Sequence, residues 1–449
     1  MWKEQFLHWR ENNYMPKAIL ITKDGTIVDG IFPLKPGANL RTGESDLKAT
    51  FGQLTSLEQD LLNIAAAVFA CDLAFKRGER ENFTRSIELT IPVVNHALLN
   101  SVHDDIVYAL YKLSDDTWNI KFINQGGSPE PFKEWQQKKD GKILLFSGGI
   151  DSFAAAMKLG YSKESVHLIS HVTANHIASN AQKVLLNFLD TKFPNQFIRT
   201  AVRTGGTNKE NKGFSFPTDE DREDTQRTRS FLFLTLAAIA ARRDGIKDII
   251  MLAENGQLAI HLPLTASRIS AFSTHTAHPE FVDCMSTILN SILGYKMRIY
   301  NPYLYMTKAE VVASSLTRDL NMIEHTVSCW RSARMIGNSK HCGYCVPCMI
   351  RRIANEFNGV KLNEYGRDLF VERIESLGPE DDGRRNFVEL AEFIRFFERA
   401  GSTAEILIEY PDLINKYIDA PKAIEMYQRF AREARTVLNR YPILSSIMS

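Results

Sequence analysis

The sequence predicts a doubly wound α/β core carrying a four-cysteine knuckle, with a mixed α/β domain before it and a helical region after it. Three observations point there. From Lys142 onward, short uninterrupted apolar runs alternate with helix-like stretches, as strands buried on both faces of a parallel sheet do. A Gly148-Gly149 pair separates the first of these runs from the helix that follows. Cys329, Cys342, Cys345 and Cys348 crowd together, while Cys71 and Cys284 stand alone.

The elements follow in order. Residues 18–22 and 26–32 read as two β runs joined by Lys23-Asp24-Gly25, a hairpin signal. Residues 57–76 have helical spacing, with Leu61, Ile64, Ala65, Val68 and Leu73 on one side. Thr55 or Ser56 would cap that helix, and Glu58 and Asp60 lie near its positive dipole end. Residues 85–93 set Ile87, Leu89 and Ile91 against Ser86, Glu88 and Thr90, the period of a half-buried strand. Residues 106–113 fit helix and strand equally, and 118–123 reads as a strand. The polar stretch 124–141, with Gly126-Gly127 and several lysines, reads as a linker.

In the core, strands are expected at 143–146, 166–169, 197–202 and 248–252, and helices at 153–159, 179–188 and 228–241. The polar loop 204–226 has a length usually reserved for a functional or mobile segment. Beyond about 360 the spacing turns helical over 386–400, 406–408 and 422–441, with Pro411 and Pro421 as breaks. The expected parts are therefore 1–140, 141–360 and 361–449.

The chemistry concentrates in two motifs. Phe146-Ser147-Gly148-Gly149-Ile150-Asp151-Ser152 lies between a strand and a helix. Unpaired N–H groups at a helix start bind anions, two glycines let the backbone approach phosphates, and the serines add donors. The spacing is not that of a Walker loop, and the motif contains no lysine. The second motif is Cys329-x12-Cys342-x2-Cys345-x2-Cys348, four thiols able to close a tetrahedral zinc shell. His341 is the rival ligand.

The Ser-Gly-Gly-x-Asp-Ser loop resembles that of the PP-loop (adenine nucleotide alpha hydrolase-like) ATPases. Together with the cysteines, the chain resembles the QueC family, the 7-cyano-7-deazaguanine synthases. Arg227-Thr228-Arg229-Ser230-Phe231-Leu232, His278-Pro279-Glu280-Phe281, Asn301-Pro302 with Met306-Thr307-Lys308-Ala309-Glu310, Ser328-Cys329-Trp330 and Cys342-Gly343-Tyr344-Cys345-Val346-Pro347-Cys348 with Arg351 resemble that family's segments. The likeness spans about residues 141–357.

The resemblance implies ATP, Mg2+ and Zn2+ as cofactors and adenylation of a 7-carboxy-7-deazaguanine-type carboxylate, followed by transfer to an amine. Phe146, Ser147, Gly148, Gly149, Ile150, Asp151 and Ser152 would hold the nucleotide, with Asp151, Arg229 and Lys308 as catalytic groups. Lys308 reads equally as the plain start of a helix. Glu254 and Asn255, ending a buried strand, are candidate metal or substrate contacts or an ordinary strand-end turn. His275 and His278 are candidate acid–base groups or ordinary loop histidines.

Departures fall where the base and amine would sit. Ser170–Asn175 replaces the family's Tyr-Gly-Gln, Ser230 replaces an Asn, and the Gly-Tyr-Pro-Asp-Cys stretch is missing. About 140 residues before the loop and about 90 after the cysteines are absent from housekeeping members. That long layout resembles the QatC type of Qat antiphage defence systems and the QueC-like proteins of type IV CBASS. It implies a protein partner from the same operon as a possible acceptor in place of ammonia. Other PP-loop chemistry, such as tRNA thiolation or lysidine formation, and a non-catalytic nucleotide-binding scaffold are the rival readings.

Composition bounds these expectations. The 449 residues hold 54 Lys plus Arg against 53 Asp plus Glu, a net charge of +1. Such a chain lacks the broad basic field of a nucleic-acid binder. No apolar run approaches the roughly 18 residues of a spanning helix. Met1-Trp2-Lys3-Glu4-Gln5 opens no signal-peptide apolar region, so a cytoplasmic location without membrane contact is expected. Monomer and homodimer both suit the sequence.

Overall fold

A computed structural model describes residues 16–21, 30–78, 84–130, 140–172, 175–209, 213–250, 253–265, 275–335, 339–362 and 365–448. Two parallel sheets organise about the first two thirds of these residues.

The central sheet runs β6 (Lys142–Leu145), β7 (Val166–His171), β8 (Phe197–Val202), β10 (Asp248–Ile250) and β11 (Arg298–Tyr300), in the spatial order β11-β10-β6-β7-β8. Every neighbouring pair is parallel. The order of strands reverses between β6 and β10, so the crevice beyond their carboxyl ends is the ligand position of such sheets. Successive side chains of β6 enter different cores. Ile143 and Leu145 pack with α7 (Arg229–Asp244) and α9 (Pro279–Leu293). Leu144 and Phe146 pack with α5 (Ile150–Tyr161), α6 (His176–Lys192) and α10 (Lys308–Ser315). Helices on both faces explain why the sequence shows unbroken apolar runs there rather than alternation.

The amino-terminal sheet has the order β2-β1-β4-β5, from β1 (Lys17–Leu20), β2 (Phe32–Leu34), β4 (Ser86–Val93) and β5 (Thr117–Asn124). Ala18 pairs with Phe32 in parallel register, which corrects the expected hairpin. Parallel strands need a crossover, and the Lys23-Asp24-Gly25 turn itself lies outside the described residues. Residues 106–113 are resolved as helix: α4 (His103–Ser114) buries Ile106, Ala109, Leu110 and Leu113 at helical spacing.

The helix α2 (Ser56–Ala74) begins at Thr55, whose hydroxyl accepts from the Glu58 N–H while Glu58 accepts from the Thr55 N–H at 2.8 Å. It is apolar on nearly every side because it packs between its own sheet and α7. Both its ends are bonded to α7. Glu58 accepts from Arg243 Nε at 2.7 Å, and Asp72 accepts from the N–H and hydroxyl of Thr228 at 2.8 and 3.0 Å. A two-residue antiparallel bridge joins β3 (Leu40–Arg41) to β9 (Gly205–Gly206). The amino-terminal sheet and one face of the central sheet thus share a single apolar core.

Helices of the carboxyl-terminal part build a second core. These are α11 (Val346–Phe357), α12 (Asp382–Arg399), α13 (Thr403–Glu409) and α14 (Ala420–Leu438), packed through Ile353, Phe387, Ile394, Phe397, Ile406, Tyr427 and Phe430. Pro421 stands in the first turn of α14, where its missing N–H costs nothing. Among the described residues, no helix is long and apolar enough to cross a membrane.

Candidate functional site

The Ser147–Ser152 loop leaves the carboxyl end of β6 at the reversal of strand order. Gly148 takes φ 84°, a left-handed conformation that favours glycine, and a Cβ there would stand 3.1 Å from Gln182 Cγ. Gly149 then caps α5. The Ser147 and Ser152 hydroxyls lie 3.2 Å apart, and Ser152 Oγ donates to Gly149 O at 3.1 Å. Gln182 Nε2 donates to Ser147 O at 3.2 Å, and Val327 N donates to Gly148 O at 3.0 Å. The loop is therefore held from both sides with its N–H groups at the start of a helix, the arrangement that receives anions. Phe146 and Ile150 are buried in the core, which leaves only their backbone to face a ligand.

Asp151 is the buried centre of this site. Its Oδ2 accepts from Lys308 Nζ at 2.8 Å and from Asn255 Nδ2 at 2.9 Å, while Oδ1 is buried with no donor among the described residues. Asn255 follows Glu254 beyond β10, and its Nδ2 also donates to Glu254 Oε1 at 3.1 Å. Asn301 Nδ2 fixes Glu254 O at 2.7 Å. Burial opposes charge on Asp151, but the Lys308 ammonium outweighs it and holds this carboxyl below its usual range. Burial and the Asp151 charge push Glu254 well above its usual range. A buried carboxylate oxygen without a donor, beside a second carboxyl group, fits a hard cation such as Mg2+.

Lys308 is the first residue of α10, and its ammonium pairs with Asp151. Thr307 caps that helix, with a capping box to Glu310. Gln257 Oε1 accepts from Lys308 N at 2.8 Å.

Arg229 opens α7 near the end of β7. Its guanidinium lies 4.8 Å from the centre of the Phe233 ring, and its side chain makes no hydrogen bond among the described residues. Burial lowers it to about 10, so it stays charged, and its charge adds to burial in pushing His171 down to about 4. Among the described residues it makes no hydrogen bond or ion pair with the loop.

His278 caps α9, its Nδ1 accepting from Glu280 N at 3.3 Å, and its ring meets His275 edge-on at 5.2 Å. Burial pushes both below the usual histidine value. They line a cavity of about 570 Å3 with Gln257, Trp330, Tyr111 of α4 and Phe430 of α14.

The four cysteine sulfurs lie within 4.8 Å of one another, and none is in a disulfide. Cys342 and Cys348 Sγ are 3.9 Å apart, against ~3.8 Å for two thiolates on one tetrahedral zinc. Cys329 Sγ accepts from Arg331 N at 3.3 Å and Cys342 N at 3.4 Å, so the thiols are already oriented by backbone donors. The donor set fits zinc. His341 lies outside this cluster, and its Nε2 accepts from Ser328 N at 3.1 Å. Gly343 is required here: at φ 85°, a Cβ would meet Arg367 O at 1.8 Å. The buried Arg351 donates to Thr326 Oγ1 at 2.7 Å and Ile323 O at 2.8 Å. It fixes the segment whose Val327 holds Gly148, so the knuckle braces the loop.

Gln182, Gln257 and Val327 carry no motif of their own, whereas Asn301 belongs to the Asn301-Pro302 segment. Only the Thr307-x-x-Glu310 pattern signals, as a capping box, that the start of α10 is fixed.

Sheet order, loop and knuckle together give the chain a PP-loop-like α/β fold. Within that class the middle of the chain is similar to the QueC family. Residues 141–359 match the family model described as "Queuosine biosynthesis protein QueC". The 7-cyano-7-deazaguanine synthase 1 of Mesorhizobium japonicum is 25% identical over 230 residues, covering 49% of this chain and 90% of that protein. The 7-cyano-7-deazaguanine synthase of Bacteroides fragilis is 23% identical over 235 residues, 48% of this chain and 94% of that protein. That of Rickettsia akari is 25% identical over 236 residues, 49% and 96%. The 449-residue chain is a long form beside them.

Proposed function

We propose that this chain uses ATP to adenylate a carboxylate of the 7-carboxy-7-deazaguanine type and passes the acyl group to an amine. The observation that carries this reading is the intact loop with Asp151 buried at its centre between Lys308 and Asn255. A carboxylate oxygen of the substrate attacks the α-phosphorus of ATP and pyrophosphate leaves. The amine nitrogen then attacks the acyl carbon, and AMP departs with the bonding pair.

In this reading, backbone N–H groups at 148–152 and the Ser147 and Ser152 hydroxyls hold the phosphates. Asp151 and Glu254 would hold Mg2+, which when bound neutralises phosphate charge. Lys308 keeps Asp151 ionised and adds positive charge beside the departing pyrophosphate. Arg229 serves the charge at the neighbouring strand end. The four cysteines would hold zinc as a brace.

Residues 1–140 and 361–449 are the accessory parts of this proposal. They supply Tyr111 and Phe430 to the cavity beside Gln257. A wall built from residues the relatives do not share suits an acceptor larger than ammonia, with a protein chain of the same operon in an antiphage defence system as the candidate. The names of the relatives favour a second reading, nitrile formation with ammonia.

Incubation of the full chain with ATP and 7-carboxy-7-deazaguanine tests the proposal. Pyrophosphate release that depends on the carboxylate is expected, and the double change Ser147→Ala, Asp151→Ala abolishes it. Absence of release with the wild-type chain would leave a nucleotide-binding scaffold as the better reading. Nitrile formation with ammonia, and no adduct on any operon partner, would decide against a protein acceptor.

A further inference from the structure

The helix α14 lies beyond the stretch shared with the relatives, yet it reaches both segments that present donors to Asp151. Tyr427 Oη donates to Gln257 O at 3.4 Å and accepts from Leu262 N at 3.3 Å. Arg429 Nε donates to Glu310 Oε1 at 2.6 Å, and its guanidinium also reaches Tyr305 O at 2.8 Å. Glu433 Oε1 accepts from Thr307 Oγ1 at 2.8 Å, in a contact closed to solvent. Thr307 is fully buried, and its oxygen already accepts from Glu310 N at 3.1 Å, so its hydroxyl proton needs this acceptor.

We propose that Glu433 is a positioning residue of the Asp151 site: through Thr307 it fixes the start of α10 and thereby the aim of the Lys308 ammonium. Removing the acceptor leaves a buried hydroxyl without a partner. The hydroxyl then turns away to find another, the cap of α10 loosens, and Lys308 loses its fixed approach to Asp151.

The groups that face Glu433 are Thr307 and Glu310 of α10 with its cap, and Arg429 and Arg432 of its own helix. Burial pushes its carboxyl up to about 7, against the pull of the Thr307 hydrogen bond. The ionised form is the stronger acceptor, so the clamp tightens as pH rises through neutrality.

The catalytic readout rests on the nucleotide-activating reading, so the test pairs it with one that does not. Full-length wild type, Glu433→Gln and Glu433→Leu are compared for pyrophosphate release between pH 6 and 8.5, and for amide hydrogen exchange at 308–315 without substrates. Glu433→Leu is expected to lower kcat about 10-fold with KM for ATP within about 2-fold, and to speed exchange at the start of α10. Glu433→Gln keeps an acceptor oxygen and is expected to rescue both, but to lose the rise in rate expected of wild type through pH 7. Wild-type kcat, pH profile and exchange in a folded Glu433→Leu would overturn the proposal. Where Glu433→Leu fails to fold, a Glu433→Gln profile identical to wild type overturns it. Wild type without any release sinks the enzymatic reading instead, and exchange still decides on Glu433.

Discussion

Asp151 sits with a donorless oxygen on one side and the Lys308 ammonium on the other. Replacing Lys308 by Met should lower carboxylate-dependent pyrophosphate release at least ~100-fold, the scale of losing one preorganised charge partner. Turnover of ATP to AMP checks it. A second buried carboxylate has a structural task. Asp116 accepts from Arg77 at 2.6 and 2.7 Å and from Arg85 Nη2 at 2.6 Å, closing a network with Asp72. Asp116→Asn would leave two buried guanidinium groups short of charge, at a cost of about 3–5 kcal/mol. Burial works against its ionisation, but Arg85 outweighs this and keeps the folded carboxyl below its usual value. Its contribution is therefore present above the unfolded carboxylate range and is lost as pH falls through the folded value. Urea unfolding between pH 7 and 3 should show the gap to Asp116→Asn closing on acidification.

At the scale of elements, the segments written in local pattern were legible and those set by distant partners were not. The 143–146 run, its glycine turn and the helix after it could be placed because burial on two faces leaves an unbroken apolar signature. The Thr55 cap could be read for the same local reason. Lys23-Asp24-Gly25 signalled a turn, but no local signal states that Phe32 pairs in parallel with Ala18. The loop motif identifies Asp151, whereas Gln257 and Glu433 act through hydrogen bonds to residues 51 and 126 positions away.

The knuckle gives a prediction at this scale. Stripping metal with a thiol-selective chelator, or changing Cys342→Ser, should loosen the 323–328 segment and with it the Val327 hold on Gly148. ATP affinity is expected to fall about 10-fold, and the melting temperature with it, as measured by nucleotide titration and calorimetry. Unchanged ATP binding in the metal-free chain would show that the brace does not reach the loop.

For the whole molecule, the family match covers only 141–359, and in this chain that span packs against both flanking parts. The outer face of α7 is covered by α2, and Gln257 and Thr307 lean on α14. A fragment comprising 141–359 should therefore be largely insoluble or show a broad, weakly cooperative melt. The full chain should lose the amino-terminal and central sheets in one transition. Calorimetry of both decides; a fragment melting sharply near the full-length temperature would contradict the shared core.

The pairing of α2 with α7 also sets an order of events during synthesis. The apolar helix at 56–74 emerges from the ribosome roughly 150 residues before its cover at 229–244. At ~5–20 residues per second, that leaves it without its partner for on the order of ten to thirty seconds. Over that interval the nascent amino-terminal sheet offers an adhesive surface to whatever is nearby, so yield from fast, crowded expression should improve with slower translation or added holdase.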